Sequence, residues 1–374
     1  MLKRTHLNGS SKCLKTDDAT VYSTALPPVS IIVSTFNEAN VIERKIDNLS
    51  KLNYPKELLE VIVYDDASID QTSKIANKTL TEKNLYGKVI SNPNRLGLNR
   101  SLNIATAQAK HNLICVTDSD VLLEEDALKN AVQVLQQYTS AGGVTGHVQP
   151  VFENQGIAQQ SETSYRGFYH ASMLAESFLH SAFPGNGPLI VFDKSKVPYE
   201  IPNDYGSTDG NIAINVIRKG LRFLYVPNSI IYEPSAESLE QQKMQKIRRA
   251  MRLLQVFIRN RDIAFNRNYG NFGRLIFPLK LLMFVLCPVL LFVGMSLLGI
   301  AVILSQNLLL YLFTLLIVFT FSLTLVSMRM ASLLSSFFFH QFYLLIGLFF
   351  SFKKSVYWKT IDRTTAVNFI GGKE

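Results

Sequence analysis

The sequence predicts an α/β protein with a doubly wound, mostly parallel sheet followed by C-terminal transmembrane helices. Three observations predict it. Short β-branched runs alternate with helical patterns from Val29 onward, as in parallel strands covered on both faces. Acidic and polar clusters follow successive strands, where the ligands of such sheets bind. From about Leu275 to Phe352 the chain is almost uncharged and rich in Leu, Phe and Val, the mark of membrane-spanning helices.

Taken in order, Val29–Val33 reads as a buried strand, Glu38–Leu49 as a helix and Glu60–Tyr64 as a second strand. Asp70–Leu80 is helical, Gly87–Ile90 a third strand, Leu98–Ala109 helical and Asn112–Val116 a fourth strand. A second block, Gly142 to Pro234, offers strands at Gly143–Val148, Leu189–Phe192 and Arg222–Val226. Its Gly, Pro, Tyr and Ser content predicts longer loops. In Glu237–Arg259, Met244, Ile247, Met251, Leu254 and Ile258 recur at helical spacing among basic residues. That pattern fits a helix at a membrane interface and equally one packed on the domain. Three membrane helices are candidates, at about 276–303, 307–328 and 331–351. The third holds Ser335, Ser336, His340 and Gln341, so it is interfacial or buried in a bundle.

The 374 residues carry a formal charge of +9, and the excess has a location. Lys243, Lys246, Arg248, Arg249, Arg252, Arg259, Arg261, Arg267, Arg274 and Lys280 precede or enter the first apolar run. That position favours anionic lipid headgroups over a nucleic-acid partner, and places the preceding domain on the cytoplasmic side. Lys353, Lys354, Lys359 and Arg363 would also be inside, which three crossings forbid, so the count stays at two to three. Cys13, Cys115 and Cys287 have no disulfide or zinc spacing. No apolar stretch precedes Val29, so no secretory signal is expected. His147 and His180 have no partner spacing and read as structural, and Tyr357-Trp358-Lys359 reads as an interfacial anchor.

Thr117-Asp118-Ser119-Asp120 follows the fourth strand. Two carboxylates so spaced can share a hard divalent cation, magnesium or manganese, that also bridges to phosphate oxygens. The same tripeptide also makes an ordinary polar turn. Asp65 and Asp66 follow the second strand, where paired carboxylates accept hydrogen bonds from a base or ribose. Asp70 or Ser68 can cap the next helix there. Ser34-Thr35-Phe36-Asn37-Glu38 follows the first strand. Three such clusters at three adjacent strand ends converge on one crevice.

Ser30-Ile31-Ile32-Val33-Ser34-Thr35-Phe36-Asn37-Glu38, Asp65-Asp66-Ala67-Ser68-Ile69-Asp70 and Asp118-Ser119-Asp120 resemble, in order, the motifs of family 2 glycosyltransferases, over about residues 29–260. The resemblance implies the GT-A fold, a nucleotide-sugar donor, a divalent metal and inversion at the anomeric carbon. It assigns Thr35, Asn37, Glu38, Asp65, Asp66, Arg95 and Asp118 to the donor, with Asp65 at the uracil edge of a UDP donor and Asp118 near the ribose. Asp120, with Asp118, would hold the metal. Ala67 stands where the family usually has glycine.

Ser207-Thr208-Asp209-Gly210 matches the family's acidic motif, making Asp209 the general base. An N-cap role for Asp209, and Asp204 as base instead, remain open. Phe183-Pro184-Gly185-Asn186-Gly187-Pro188 resembles the acceptor loop and assigns Gly185, Asn186 and Gly187 to the acceptor, although a plain turn fits the residues equally. Gln245-Lys246-Ile247-Arg248-Arg249 resembles the QxxRW motif of polymer-forming synthases. Gln245 would then face the acceptor and Arg248 the departing diphosphate. Arg249 stands in the tryptophan's place, which weakens a processive reading, and the whole stretch also fits a lipid-facing helix.

The organisation expected is therefore an irregular tail (1–27), a GT-A glycosyltransferase catalytic domain (28–236), a basic interfacial segment (237–274), a transmembrane region (275–352) and a basic tail (353–374). The function expected is an inverting, multi-pass plasma-membrane glycosyltransferase acting on a lipid or polysaccharide acceptor, with an export partner possible. Single addition to a glycolipid, a nucleotidyltransferase and a silent nucleotide-sugar-binding scaffold are the competing readings.

Overall fold

The computed structural model describes residues 25–152, 157–198, 200–234, 239–305, 308–326 and 328–352. Most of the expected N-terminal tail, and all of the basic C-terminal tail with Tyr357-Trp358-Lys359, lie outside the described residues.

β1 (Val29–Thr35), β2 (Leu59–Asp65), β3 (Gly87–Ser91) and β4 (Leu113–Asp118) form a parallel half-sheet in the order β3-β2-β1-β4. β1 and β2 are buried along nearly their whole length, which explains their unbroken apolar sequences. β7 (Ile190–Asp193) runs antiparallel to β4, and β6 (Ala141–Val151) runs antiparallel to β7. β8 (Arg222–Pro234) then lies parallel to β6, and β5 (Leu122–Leu123) closes the eight-stranded sheet. Two reversals restore direction, so β6 and β8 run the same way as β4. The carboxyl ends of the long strands therefore open on one edge.

Helices cover both faces. Ile31, Val33, Val61, Cys115, Val144 and Leu224 pack with side chains of α1 (Ile42–Ser50), α2 (Thr72–Glu82) and α4 (Ala127–Gln137) on one face. On the other face Ile32, Ile62, Ile114, Val116, Ile190 and Phe223 pack with α3 (Leu98–Gln108), α6 (Thr208–Arg218) and α7 (Leu239–Arg259). Alternate residues of each central strand thus serve opposite layers, as the pleat requires.

Three differences from the expected elements have physical causes. The first helix starts at Ile42 rather than Glu38, because Asn37 takes a left-handed φ of 54° and the Glu38 carbonyl closes a turn onto Val41 and Ile42. A 23-residue helix, α5 (Ile157–Leu179), stands where loops were expected. Its Gly, Ser and Tyr content dilutes the helical pattern, and tertiary contacts of Tyr169, Met173 and Leu174 around Tyr225 supply the packing. β8 continues to Pro234 because, past an irregularity at Gly146/His147, it pairs again with β6.

The described part of the apolar region is mostly helical. Phe272–Leu304 is a continuous run containing two five-residue π-helical turns, α8 (Phe277–Leu281) and nearly all of α9 (Cys287–Ser305). Among the described residues it is the one helix long and apolar enough to cross a membrane, by length and composition. α10 (Leu308–Val326) and α11 (Met328–Ser351) follow. The C-terminal half of α11 packs on α7, with Leu344 against Ala250 and Leu254, and Gln255 Nε2 donating to the Ser351 carbonyl at 3.2 Å. Thus α7 packs both on the domain and on an apolar helix. A Cβ at Gly347 would stand 2.9 Å from Ala250 Cβ and from the Met251 nitrogen. Gly347→Val is expected to cost about 1–3 kcal/mol by overpacking, read as a lower unfolding temperature in detergent.

Candidate active site

The open edge gathers the predicted residues, and the hydrogen bonds divide them into those that shape the crevice and those that face it. Asp66 is buried and accepts from Asn92 Nδ2 (3.2 Å), Leu96 N (2.7 Å), Gly97 N (2.8 Å) and Ser101 Oγ (3.1 Å). It fixes the loop that carries Arg95. The Arg95 guanidinium in turn lies 3.7 Å from the centroid of the Phe36 ring, a cation–π contact that joins the first motif to the loop after β3. Asp65 accepts from Ser68 N at 3.1 Å and from the hydroxyls of Ser68 and Ser73. Asn37 Oδ1 accepts from Ile69 N at 3.0 Å, and Asn37 N donates to Ser68 Oγ at 2.8 Å. Glu38 N donates to Thr72 Oγ1 at 2.9 Å, and Thr35 Oγ1 to the Tyr64 carbonyl at 3.4 Å. The first two motifs are thus one interlocked loop pair.

Asp118 ends β4 and Asp120 follows it in a buried turn. Asp209 stands in the first turn of α6, whose N-cap is Ser207, its side chain accepting from Gly210 N at 3.3 Å. The same Gly210 N also donates to Asp209 Oδ1 at 2.8 Å, so Ser207 is the N-cap and Asp209 shares its donor. Burial raises the pKa of Asp209, while the Ser207 and Gly210 hydrogen bonds and the Arg249 charge pull it down and Asp118 pushes it up. Thr208, in the place of the usual Glu, donates to Asn99 Oδ1 at 2.7 Å and ties α6 to α3. Asp204, the fallback base, is exposed.

α7 closes the site from the other side. Arg252 Nη1 donates to the Gly206 carbonyl at 3.0 Å, and Gly206 N donates to Gln255 Oε1 at 2.9 Å. Burial pushes Arg248 down to about 10, with Arg249 and Arg252 adding and Asp118 opposing. Arg248 therefore feels the Asp118 carboxylate. Gln245, one turn earlier, is part-buried. Arg249 pairs with Glu233 at 2.6 Å, and the same carboxylate pairs with Arg166 at 2.6 Å. Burial alone would raise Glu233, but the two guanidiniums outweigh it and hold its pKa below the ordinary value. No motif in the sequence marks Glu233 or Arg166, because their partners lie on other elements.

The loop at 183–188 is held rather than open. Asn186 is buried, with Nδ2 donating to the Gly146 carbonyl at 2.7 Å and its backbone N to Thr145 Oγ1 at 2.8 Å. A Cβ at Gly185 would meet the Phe223 ring at 3.0 Å, whereas Gly187 has nothing within 4 Å. Close packing on the sheet thus requires the first glycine, and only the second borders open space. Glu176 joins this loop to the apolar run: Oε2 accepts from Phe183 N at 2.9 Å, and Oε1 pairs with the buried Lys280 at 2.6 Å. Lys280→Met strands a buried carboxylate and is expected to cost about 3–5 kcal/mol, measured by thermal unfolding in detergent. His147 and His170 both share the Tyr225 hydroxyl at 2.6 Å, and burial pushes His147 down to about 4.

Oxygen donors at Asp118 and Asp120 suit a hard divalent cation, which commonly completes its shell with waters and substrate phosphates. Among the described residues no group of three or more His, Cys, Asp or Glu converges.

Residues 30–191 match the family model described as Glycosyl transferase family 2. The "Probable glycosyltransferase YdaM" of Bacillus subtilis (strain 168) is 35% identical over 123 residues, 32% of this chain and 29% of the relative. The poly-beta-1,6-N-acetyl-D-glucosamine synthase of Staphylococcus aureus (strain MSSA476) is 24% identical over 264 residues, 69% of this chain and 61% of the relative. The chain thus spans less than two thirds of these curated relatives. The mannosyltransferase PcManGT from Pyrobaculum calidifontis, solved with GDP-Man and Mn2+, superposes with a TM-score of 0.74 over 89% of each chain at 24% identity. That likeness establishes the shared GT-A fold.

Proposed function

We propose, for a chain that carries a glycosyltransferase family 2 domain, that it transfers a sugar with inversion from a nucleotide-sugar donor to a membrane-associated lipid or polysaccharide acceptor. The observation that carries this reading is that Asp118 and Arg249 each act on the charge of both Asp209 and Arg248, which places the four groups at one edge. An acceptor hydroxyl attacks the anomeric carbon as the bond to the diphosphate oxygen breaks. Asp209 takes the hydroxyl proton, and Arg248 neutralises the charge left on the diphosphate. A divalent metal on Asp118 and Asp120 would add Lewis-acid stabilisation of that leaving group. Asp65, Asp66, Arg95, Thr35, Asn37 and Glu38 form the donor side, and Gly187 with Gln245 the acceptor side.

We assign the α/β region 28–236 as the catalytic domain, on the cytoplasmic face, anchored through Phe272–Leu304 with α10 and α11 beside it. Single addition is favoured over chain extension, because Arg249, tied to Glu233, stands where a processive synthase would present an aromatic platform. The test is purified protein in detergent with radiolabelled UDP- and GDP-sugars, membrane lipid extract and manganese, with and without chelator. A chelator-sensitive lipid product of one sugar supports the reading. Release of pyrophosphate, or no turnover of any donor, overturns it.

A further inference from the structure

Lys45, on α1, is fully buried. Its ammonium donates to Thr117 Oγ1 at 2.8 Å and to the Val121 carbonyl at 3.1 Å. These acceptors bracket the Asp118–Asp120 turn, one residue before it and one after. Three residues along the same helix face, Asn48 grips Leu123 through both backbone groups, donating to its carbonyl at 2.8 Å and accepting from its nitrogen at 2.9 Å. One face of α1 therefore fastens the chain from Thr117 to Leu123. Both acceptors of the ammonium are neutral, and a charge buried in that way is costly. Burial pushes the Lys45 pKa down to about 7, with Cys115 and Asp118 opposing and Arg44 adding.

We infer that Lys45 is a positioning residue for the Asp118–Asp120 turn, holding both carboxylates in the conformation that receives a divalent cation together with a nucleoside diphosphate. This rests on the assignment of Asp118 and Asp120 to the metal. Two contributions have opposite signs. As a nearby positive charge, Lys45 weakens cation binding, so its removal would tighten it. As the brace of the turn, Lys45 strengthens binding, so its removal would loosen it.

The test is Mn2+ binding in the presence of UDP or GDP, read from the electron paramagnetic resonance signal of free Mn2+, for wild type, Lys45→Met, Thr117→Val and Asp120→Asn. Loss of outer-shell support typically weakens metal affinity by about 10–100-fold, and that loss is expected for Lys45→Met. Unchanged or tighter Mn2+ binding by folded Lys45→Met overturns the inference. If Lys45→Met does not fold, Thr117→Val decides in its place, with weaker binding expected and unchanged binding overturning the inference. Asp120→Asn separates the two levels: if it leaves Mn2+ binding intact, the metal assignment itself has failed.

Discussion

Asp209→Asn is expected to lower sugar transfer by about a hundred- to ten-thousand-fold, the range for loss of a general base, with the fold intact. Asparagine keeps the size of the side chain and an oxygen for Gly210 N, and Ser207 still caps α6. The sign of the stability effect follows from the raised pKa of Asp209. A carboxyl whose folded pKa lies above its unfolded one contributes stability at low pH, and loses it as pH rises through the folded value. At neutral pH the ionised group is therefore a cost, and the neutral variant should unfold at the same temperature or higher. The acidic limb of the wild-type rate profile should lie above the ordinary aspartate range, since the base must be ionised to work. Loss of transfer in Asp204→Asn, with Asp209→Asn active, would move the base to Asp204.

Asp120→Asn should abolish chelator-sensitive transfer. Metal stabilisation of the leaving group is worth several kcal/mol, so a fall of about a thousandfold is expected. Far-ultraviolet circular dichroism should be unchanged, because Lys45 and Asn48 fasten the turn from α1 and asparagine keeps the size of the side chain. Manganese titration of the residual activity is the measurement. Full activity in this variant would remove the metal from the mechanism.

The parallel half of the sheet is legible in the sequence because β1, β2 and β4 are buried on both faces, which forces apolar sequences, and their polar residues fall at strand ends. Asp118 and Asp120 stand out for the same reason. The helix over Ile157–Leu179 is not legible, since its pattern is diluted and its packing comes from Tyr225 on a distant strand. Nor is the division of labour within the motifs. Asp65 and Asp66 look alike in sequence, yet Asp66 is committed to the Arg95 loop.

Sequence by itself determined the alternation of strands and helices, the apolar C-terminal region and the residues with chemistry to offer, because burial and local periodicity act on neighbours in the chain. The tertiary structure decided what those residues touch. It turned Arg249 toward Glu233, placed Lys45 beneath the Asp118–Asp120 turn, and joined Lys280 to the loop at Phe183 through Glu176. Each of these contacts links separate elements of the chain, so only their packing brings the charges together.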